Sequence, residues 1–320
     1  MVRCAVAIAE PTISAVAETV EPSMPVGWYG VLFADELARG QVKPLHVFGS
    51  DLVAFRSEDG TVGILDAYCA HMGAHLGHGG TVDAACVVCP FHRWRWRADG
   101  SCGGIPYAER VPPRARVRAW PVLERNGFVF CWYHPRGADP TWEINEIAQT
   151  AAPGWSIRHR SEWGPFSSHP QELSENGVDF QHFEVIHGFT IRGISWEPDG
   201  PRYRLAYDMD PLTAGGREYT LDSLTEGPGF TRSIMSGAID AVSAHSWFPT
   251  DPGKLAIKSL YFFSGAVPDA VAERAYENSR SGWENDIEIW SNKRYMTRPL
   301  LAAGDGPVVR FRSWFDQFYE

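Results

Sequence analysis

Two short segments of the chain each place a histidine close to a cysteine. The first holds Cys69 and His71, the second holds Cys89 and His92, and seventeen residues separate the segments. Two thiolates and two imidazoles match the ligand set of a Rieske [2Fe–2S] cluster, in which histidines replace the cysteines on one of the irons. This replacement raises the reduction potential above that of an all-cysteine cluster. The spacing therefore predicts a centre that transfers single electrons.

A structural zinc ion is the alternative occupant of these loops, because zinc is often bound by cysteine and histidine in short loops. Cys86 forms a C-x2-C pair with Cys89 and adds a fifth potential ligand. A zinc ribbon more commonly repeats C-x2-C in both loops, whereas the first loop here has C-x-H. Pro90 and the aromatic residues after His92 also suit the second loop of a Rieske centre. We therefore favour the iron–sulfur cluster and interpret Cys86 as a buried strand residue.

A second set of candidate ligands lies in the later half of the chain. His182 and His187 are five residues apart, and Asp179 precedes His182 by three. Non-heme iron(II) oxygenases bind their metal through two histidines and one carboxylate and leave positions open for dioxygen. Five residues on a regular helix place two side chains about 140° apart, so both imidazoles reach one ion only across a break or bulge. Asp179 is better placed as a hydrogen-bond partner of a ligand than as a ligand.

Turn signals divide the first half of the chain into short strands. The dipeptides Asp59-Gly60, Asp99-Gly100 and Asn126-Gly127 each separate two strand-like runs and predict hairpins. Both cysteine–histidine loops follow such runs. Short strands at this spacing predict a small antiparallel β domain, and the proline- and glycine-rich residues 134–140 mark its end.

The second half combines helices with strands. Pro170–His187 is predicted as one helix, with Pro170 at its first position and Gly188 just after its end. Strand-like runs follow, and then a polar helix over 268–293. The whole chain is thus predicted to be α+β. We divide it into a flexible N-terminal tail (1–25), a Rieske domain (26–138) and a catalytic domain (139–320).

Composition restricts the partners and the compartment. The 320 residues are 44% hydrophobic and 21% charged, as in a soluble globular protein. A formal net charge of −10 argues against nucleic acid and anionic membrane surfaces. Six cysteines are few for a disulfide-rich secreted protein, and no apolar run approaches the roughly 20 residues of a membrane helix. We therefore expect a cytoplasmic protein with no membrane span and no nucleic-acid partner.

With both motifs in one chain, the sequence resembles the catalytic α-subunits of Rieske non-heme iron oxygenases from about residue 26 onward. The resemblance implies a catalytic domain with a helix-grip-like fold, an antiparallel sheet flanked by helices. In that family the third iron ligand is an aspartate on a late helix, and Asp286 within 284–293 matches that motif. Without the match, Asp286 would be interpreted as a solvated helix position, like its neighbours Glu284 and Glu288.

The family also implies an assembly and an electron path. Its members are usually homotrimers in which the Rieske cluster of one subunit faces the mononuclear iron of its neighbour. An acidic residue at the position of Asp179 hydrogen-bonds a cluster histidine across the interface and an iron ligand on its own chain. The implied path runs from His92 or His71 through Asp179 and His182 to the iron.

Within the family, three segments resemble the group of 3-ketosteroid 9α-hydroxylase oxygenase components and cholesterol 7-desaturases. The form Glu175-Asn176-Gly177 is similar to that of the desaturases and implies that Asn176 lies near the iron. The group implies a bulky apolar substrate, a steroid or sterol, that is hydroxylated or desaturated. Both reactions begin with hydrogen abstraction, so the sequence does not separate them. The segments are 42–46, 286–293 with Pro299 and Leu300, and 305–307 with 311–319.

The resemblance implies a terminal oxygenase in a multicomponent monooxygenase that uses dioxygen. Its electrons come from NAD(P)H through a ferredoxin-type or flavin/iron–sulfur reductase. No Gly-rich dinucleotide fingerprint opens a βα unit here, so the nicotinamide and flavin sites are expected on that separate partner. Two alternatives stay open. The first is a Rieske hydroxylase or demethylase with a smaller aromatic or heterocyclic substrate. The second is a Rieske electron carrier, which needs only residues 26–135 and leaves His182, His187 and Asp286 unused.

Trp247, Phe262 and Phe263 could line a substrate pocket, but alternating aromatic residues on strands are more often part of the core.

Overall fold

A computed structural model describes residues 23–188, 191–209, 219–237 and 239–320. Most of the predicted N-terminal tail, residues 1–22, therefore lies outside the described residues. Within the described ranges, no helix combines the length and the apolar character that are needed to cross a membrane.

The first half of the described chain is all β. Its strands form a three-stranded sheet in the order β1-β11-β10 and two four-stranded sheets in the orders β2-β3-β4-β9 and β5-β6-β7-β8. All the pairings are antiparallel, and the three predicted hairpins are confirmed between β3 and β4, β7 and β8, and β10 and β11. The strands are β1 (Gly27–Phe33), β2 (Val42–Val47), β3 (Ser50–Arg56), β4 (Val62–Asp66), β5 (Thr81–Asp83), β6 (Cys86–Val88), β7 (Arg95–Arg97), β8 (Cys102–Gly104), β9 (Ala119–Trp120), β10 (Val122–Arg125) and β11 (Phe128–Tyr133).

The second half is a seven-stranded antiparallel sheet with helices, in the order β12-β18-β17-β16-β15-β14-β13. The first strand in sequence, β12, pairs with the last, β18, and β12 and β13 are the edge strands of the sheet. The predicted α+β class is confirmed. The elements are α1 (Ala148–Ala151), β12 (Trp155–Ser167), α2 (Pro170–Asn176), α3 (Phe180–Val185), β13 (Ile191–Asp199), β14 (Arg202–Met209), β15 (Tyr219–Glu226), β16 (Phe230–Gly237), β17 (Ala241–Asp251), β18 (Lys254–Ser264), α4 (Asp269–Asn292) and α5 (Val308–Phe315).

Apolar packing joins the two halves. Trp28 and Phe128 from the first half share a core cluster with Phe230 and Val242 of the large sheet. Phe128 and Phe130 contact Phe230 with ring centroids 5.9 and 5.1 Å apart. The β1–β11 sheet is therefore fixed against β16 and β17, and this packing sets where the cluster loops lie relative to the catalytic half.

The prediction of one helix over Pro170–His187 is wrong. Residues 177–179 interrupt it, so that α2 ends at Asn176 and α3 begins at Phe180. The interruption packs against Gly306, where an added Cβ would lie 2.2 Å from the carbonyl oxygen of Val178. Pro170 does occupy the first turn of α2, and Gly188 has φ +68 after the end of α3. The predicted helix over 268–293 is confirmed as α4.

Candidate active site

The two cysteine–histidine loops have the same backbone design. In each loop the cysteine carbonyl accepts a hydrogen bond from the N–H four residues later, at Gly73 (2.9 Å) and Arg93 (3.1 Å). The cysteine N–H in turn donates to the carbonyl five residues later, on Ala74 and Trp94. Gly73 and Arg93 both have positive φ, +75 and +61. Each loop is thus a tight turn that directs a cysteine and a histidine to the same side.

The four predicted ligand side chains meet between these loops. The Cys69 and Cys89 thiols are buried and close enough to interact. The His71 and His92 rings lie 4.7 Å apart at 77°, and Trp94 stacks on His71 at 4.5 Å. The Nδ1 atoms of both histidines are buried with no hydrogen-bond partner among the described residues. Two orphaned imidazole nitrogens beside two buried thiols fit a bound metal cluster.

The spread of the donor atoms favours two irons over one zinc. A tetrahedral zinc ion brings its ligand atoms to within roughly 3.3–3.8 Å of one another. In the described part of the chain, no three of these four donor atoms all lie within 4.8 Å of one another. A [2Fe–2S] cluster separates its thiolates from its imidazoles because they bind different irons.

Trp96 is a further neighbour of the cluster position, and it is one of the aromatic residues after His92 that suit the second loop of a Rieske centre. Its ring is completely buried, and its indole N–H has no hydrogen-bond acceptor at normal distance among the described residues. Burial raises the pKa of the Cys69 thiol, and the His71 backbone N–H and the Trp96 indole both oppose that rise. The indole N–H therefore lies near the sulfur of Cys69.

The second predicted set of ligands converges as well. Donor atoms of His182, His187 and Asp286 all lie within 4.8 Å of one another, and His187 Nε2 is 3.3 Å from Asp286 Oδ2. This is the arrangement of two histidines and one carboxylate that non-heme iron(II) enzymes use. It is the one such group of histidine, cysteine and carboxylate donors in the described residues.

The end of α3 brings the two histidines together. His182 lies inside α3, whereas His187 lies in the turn after the helix ends at Val185. The Gly188 N–H donates to the Glu184 carbonyl and closes that turn. On α4, Gly282 faces the His187 ring, and an added Cβ there would lie 3.5 Å from His187 Nδ1, an ordinary van der Waals contact. The break that the five-residue spacing requires is therefore the C-terminus of a short helix.

Local hydrogen bonding prepares His182 for metal binding. Its Nδ1 donates to the backbone carbonyl of Asp179, which leaves Nε2 with the lone pair toward His187 and Asp286. Burial lowers the pKa of His182, so the ring is held in the neutral form that binds metals.

Asp286 differs from its acidic neighbours on α4. Its side chain is 10% exposed, whereas Glu284 and Glu288 are exposed and bond to Arg280 and Asn292. A buried carboxylate needs polar partners, and Asp286 Oδ2 has the Asn176 amide at 3.2 Å and His187 Nε2 at 3.3 Å. The placement agrees with a ligand role for Asp286.

Asn176 and Asp179 lie around the three ligands. The Asn176 side-chain amide is 3.0 Å from His182 Nε2 and 3.2 Å from Asp286 Oδ2. Asp179 holds His182 through its backbone carbonyl, and its carboxylate makes no hydrogen bond to any described residue. Asn176 is therefore adjacent to the metal position, whereas Asp179 contacts the ligand His182 and not the metal position itself.

A cavity of about 160 Å³ adjoins this site. Asn176 and Gly177 form its boundary with the ligands, and Trp247 and Trp283 form aromatic walls. Of the three aromatic residues considered from the sequence, Trp247 lines the cavity, whereas Phe262 and Phe263 belong to core clusters. The remaining cavity wall comes from strands β14–β17. The alternation of hydroxyl residues at 223 and 225, and at 231 and 233, was the signal in the sequence for this polar wall.

Comparison with known proteins assigns a family to each half of the chain. Residues 27–121 match the family model of the Rieske [2Fe-2S] domain. Residues 131–319 match the model of the 3-ketosteroid 9alpha-hydroxylase C-terminal domain. The chain is 33% identical to a probable 3-ketosteroid-9-alpha-monooxygenase oxygenase component of Rhodococcus rhodochrous, across 92% of this chain and 79% of that protein. It is also 33% identical to the cholesterol 7-desaturase nvd of Drosophila melanogaster, across 93% and 76%.

Solved structures show the same fold at low identity. Dicamba monooxygenase bound to dicamba superposes with a TM-score of 0.71 at 16% identity, covering 91% of this chain and 96% of that one. NdmA of Pseudomonas putida CBB5 with caffeine superposes with a TM-score of 0.72 at 19% identity, covering 90% and 89%. The chain belongs to the Rieske non-heme iron oxygenases with a 3-ketosteroid 9α-hydroxylase-type catalytic domain, oxidoreductases that use a Rieske cluster, a mononuclear iron and dioxygen.

Proposed function

We propose that this chain is the terminal oxygenase of a multicomponent monooxygenase that hydroxylates or desaturates a steroid or sterol. The observation that carries the proposal is the convergence of His182, His187 and Asp286 beside a cavity, in the same chain as the cluster loops. The substrate class is supported by the named activities of the 3-ketosteroid monooxygenase and cholesterol desaturase relatives.

Each part of the site has a separate task. In this proposal Cys69, His71, Cys89 and His92 hold the cluster, and His182, His187 and Asp286 hold the iron. Bound iron supplies the activation of dioxygen. The chain itself orients the ligands, as the Asp179 carbonyl does for His182. It also holds the substrate against Trp247 and Trp283 and excludes water from the cavity.

The cavity volume favours a second candidate, an oxygenase of smaller aromatic or heterocyclic substrates. Pockets that enclose drug-sized ligands are commonly about 300–1,000 Å³, and the cavity here is about 160 Å³. The two structural relatives named above were solved with dicamba and caffeine. A steroid therefore requires the cavity to widen on binding, whereas a single or fused small ring does not.

We infer that electrons arrive from a neighbouring subunit of a homotrimer. Met72, Phe91 and Tyr107 surround the cluster loops and are each at least 60% exposed. An apolar surface of this kind is typical of a protein–protein contact. The uncommitted carboxylate of Asp179 is the group that would accept a hydrogen bond from a cluster histidine of the neighbour.

The reductase and the compartment follow from the same proposal. The relatives named as oxygenase components imply a separate reductase, which would draw on NAD(P)H. None of the five described cysteines forms a disulfide, which is compatible with the cytoplasmic location that we propose.

Metal analysis with oxygen consumption tests the proposed function. We expect about three irons and about two sulfides per chain, and oxygen uptake with a reconstituted reductase that increases with steroids or sterols. Asp286→Ala should lose about one iron and keep the cluster spectrum, whereas the matched control Glu284→Ala should keep all the metal. Two irons in the wild type would favour an electron carrier. Coupling to small aromatics alone would replace the steroid assignment with the second candidate.

Asp179→Ala tests the electron path. Both metal centres should stay loaded, because the contact with His182 comes from the backbone of Asp179, and turnover should fall by up to about 100-fold, the upper end of the range for lost supporting groups. Single-turnover reduction of the iron site from a prereduced cluster is the direct measurement. Asp179→Ala with wild-type turnover would contradict this path.

A further inference from the structure

A row of polar side chains crosses the inner face of the large sheet. Its members are directly opposite one another on neighbouring strands from β14 to β18. The inner face of an antiparallel sheet is normally apolar, so the row needs an explanation. In order across the sheet the residues are Tyr203, Thr225, Thr231, His245 and Ser259.

Five of the hydroxyl groups that line the cavity are hydrogen-bonded within the protein. Thr225 donates to Thr231 at 3.1 Å, and Ser223 and Ser233 bond to each other at 2.6 Å. The Tyr203 hydroxyl donates to the Ser174 carbonyl at 2.7 Å. These groups line a polar wall without requiring a ligand.

His245 differs, because only one of its ring nitrogens has a protein partner. Nδ1 bonds to Ser259 Oγ at 2.7 Å, whereas Nε2 has no partner among the residues that the structure describes. The side chain lines the cavity yet is only 5% exposed, and its ring packs on Trp283 at 4.9 Å. Burial lowers the pKa of His245 to about 3, so the ring is neutral at physiological pH.

We propose that His245 Nε2 hydrogen-bonds a ketone or hydroxyl oxygen of the substrate. The proposal deepens the proposed function and rests on it. A neutral imidazole donates through one nitrogen and accepts through the other, so Nε2 suits a hydroxyl in either tautomer and a ketone when it carries the proton. Nε2 has no protein partner among the described residues and its ring lines the cavity, so a substrate oxygen placed there gains a hydrogen bond for which no described protein group competes.

The arrangement makes His245 a specificity-determining residue. Aromatic walls contribute affinity for an apolar ring system in any orientation, whereas one hydrogen bond at a fixed point selects a single orientation. A site with a buried hydrogen-bonding group discriminates against an analogue that lacks the matching oxygen. The substrate class is therefore a largely apolar polycyclic molecule with an oxygen at one end.

The binding of androstane derivatives to the purified, metal-loaded protein tests the hydrogen bond proposed for His245. The probes carry one ketone at C3, one ketone at C17, or no oxygen, and Kd is measured by equilibrium dialysis. The wild type should bind one monoketone about 10-fold more tightly than the hydrocarbon. His245→Phe should abolish that preference while binding the hydrocarbon like the wild type. His245→Asn, which keeps a hydrogen-bonding amide, should restore part of it.

Controls separate the possible failures. His159→Phe replaces a histidine outside the cavity, stacked on Tyr276, and should keep the preference, and iron content reports whether each variant is folded. A preference that survives in His245→Phe, or is lost in His159→Phe, overturns the assignment of His245 and leaves the proposed function standing. A folded wild type that binds none of the probes overturns the steroid substrate and the His245 proposal together.

Discussion

Trp96 contributes a single N–H group whose position predicts a redox effect. The indole is fully buried and adjoins the Cys69 thiol. Hydrogen bonds to cluster sulfurs are among the factors that set the reduction potential, and a donor favours the reduced form because that form carries more negative charge.

Trp96→Phe should therefore lower the reduction potential of the cluster by about 20–60 mV, the equivalent of one hydrogen bond. A redox titration followed by circular dichroism measures it. Trp94→Phe is the matched control, because the Trp94 N–H donates to the Tyr107 hydroxyl at 2.7 Å and not to sulfur. Equal shifts in both variants would show that general packing, not the Trp96 N–H, sets the potential.

At the scale of elements, the second cluster loop carries strain that the first avoids. Gly73 and Arg93 occupy equivalent positions with positive φ, but only glycine adopts this conformation at no steric cost. Arg93 is exposed, and its side chain makes no hydrogen bond or ion pair with the described residues. The left-handed conformation costs roughly 1–2 kcal/mol for a residue with a Cβ.

Arg93→Gly should stabilise the loaded Rieske region by about 0.5–1 kcal/mol, since the greater freedom of glycine in the unfolded chain offsets part of the relief. Thermal bleaching of the cluster absorbance should shift upward, and Gly73→Ala should shift it downward. The reduction potential should stay the same in Gly73→Ala, which changes no charge near the cluster. A lower bleaching temperature for Arg93→Gly would mean that the Arg93 side chain makes a stabilising contact.

The cysteine–histidine loops and the hairpins could be predicted from the sequence, whereas the interruption of the helix predicted over Pro170–His187 could not. Loops with fixed ligand spacing and hairpins with Asn-Gly or Asp-Gly turns depend on local chemistry, and the structure places them as expected. The helix over Pro170–His187 fails because its interruption depends on a tertiary contact, the approach of Gly306 to Val178. Local sequence carries no signal of that contact.

The sequence alone does not bring the residues of the cavity wall together, for a related reason. The register of β15, β16 and β17 brings Thr225, Thr231 and His245 side by side, although Thr225 and His245 are 20 positions apart in sequence. The aromatic C-terminal segment likewise becomes helix α5, and Arg312 on it forms a two-pronged ion pair with Glu175 of α2 at 2.7 and 2.8 Å. Such pairings exist only once the chain has folded.

At the scale of the whole molecule, His46 links the two halves of the chain. Its Nδ1 is 2.7 Å from Asp51 on β3, and its Nε2 is 2.9 Å from Asp251 on β17. Hydrogen bonds to Asp251 and Asp51 raise the pKa of His46 above its ordinary 6.5. Tyr68 also donates to Asp51, and His75 lies near enough to act on the same carboxylate.

The raised pKa fixes the direction of a pH effect. Protonated His46 is favoured in the folded state, so its stabilisation is complete below the unfolded pKa and is lost as the pH rises through the folded pKa. The melting temperature of the wild type should exceed that of His46→Gln by at most about 2–3 °C near pH 6, since exposed ion pairs are weak. The difference should shrink toward pH 9. Asp251→Asn removes the partner in the catalytic half and should show the same trend, whereas a difference that grows with pH would contradict a charged His46 bridge between the two halves.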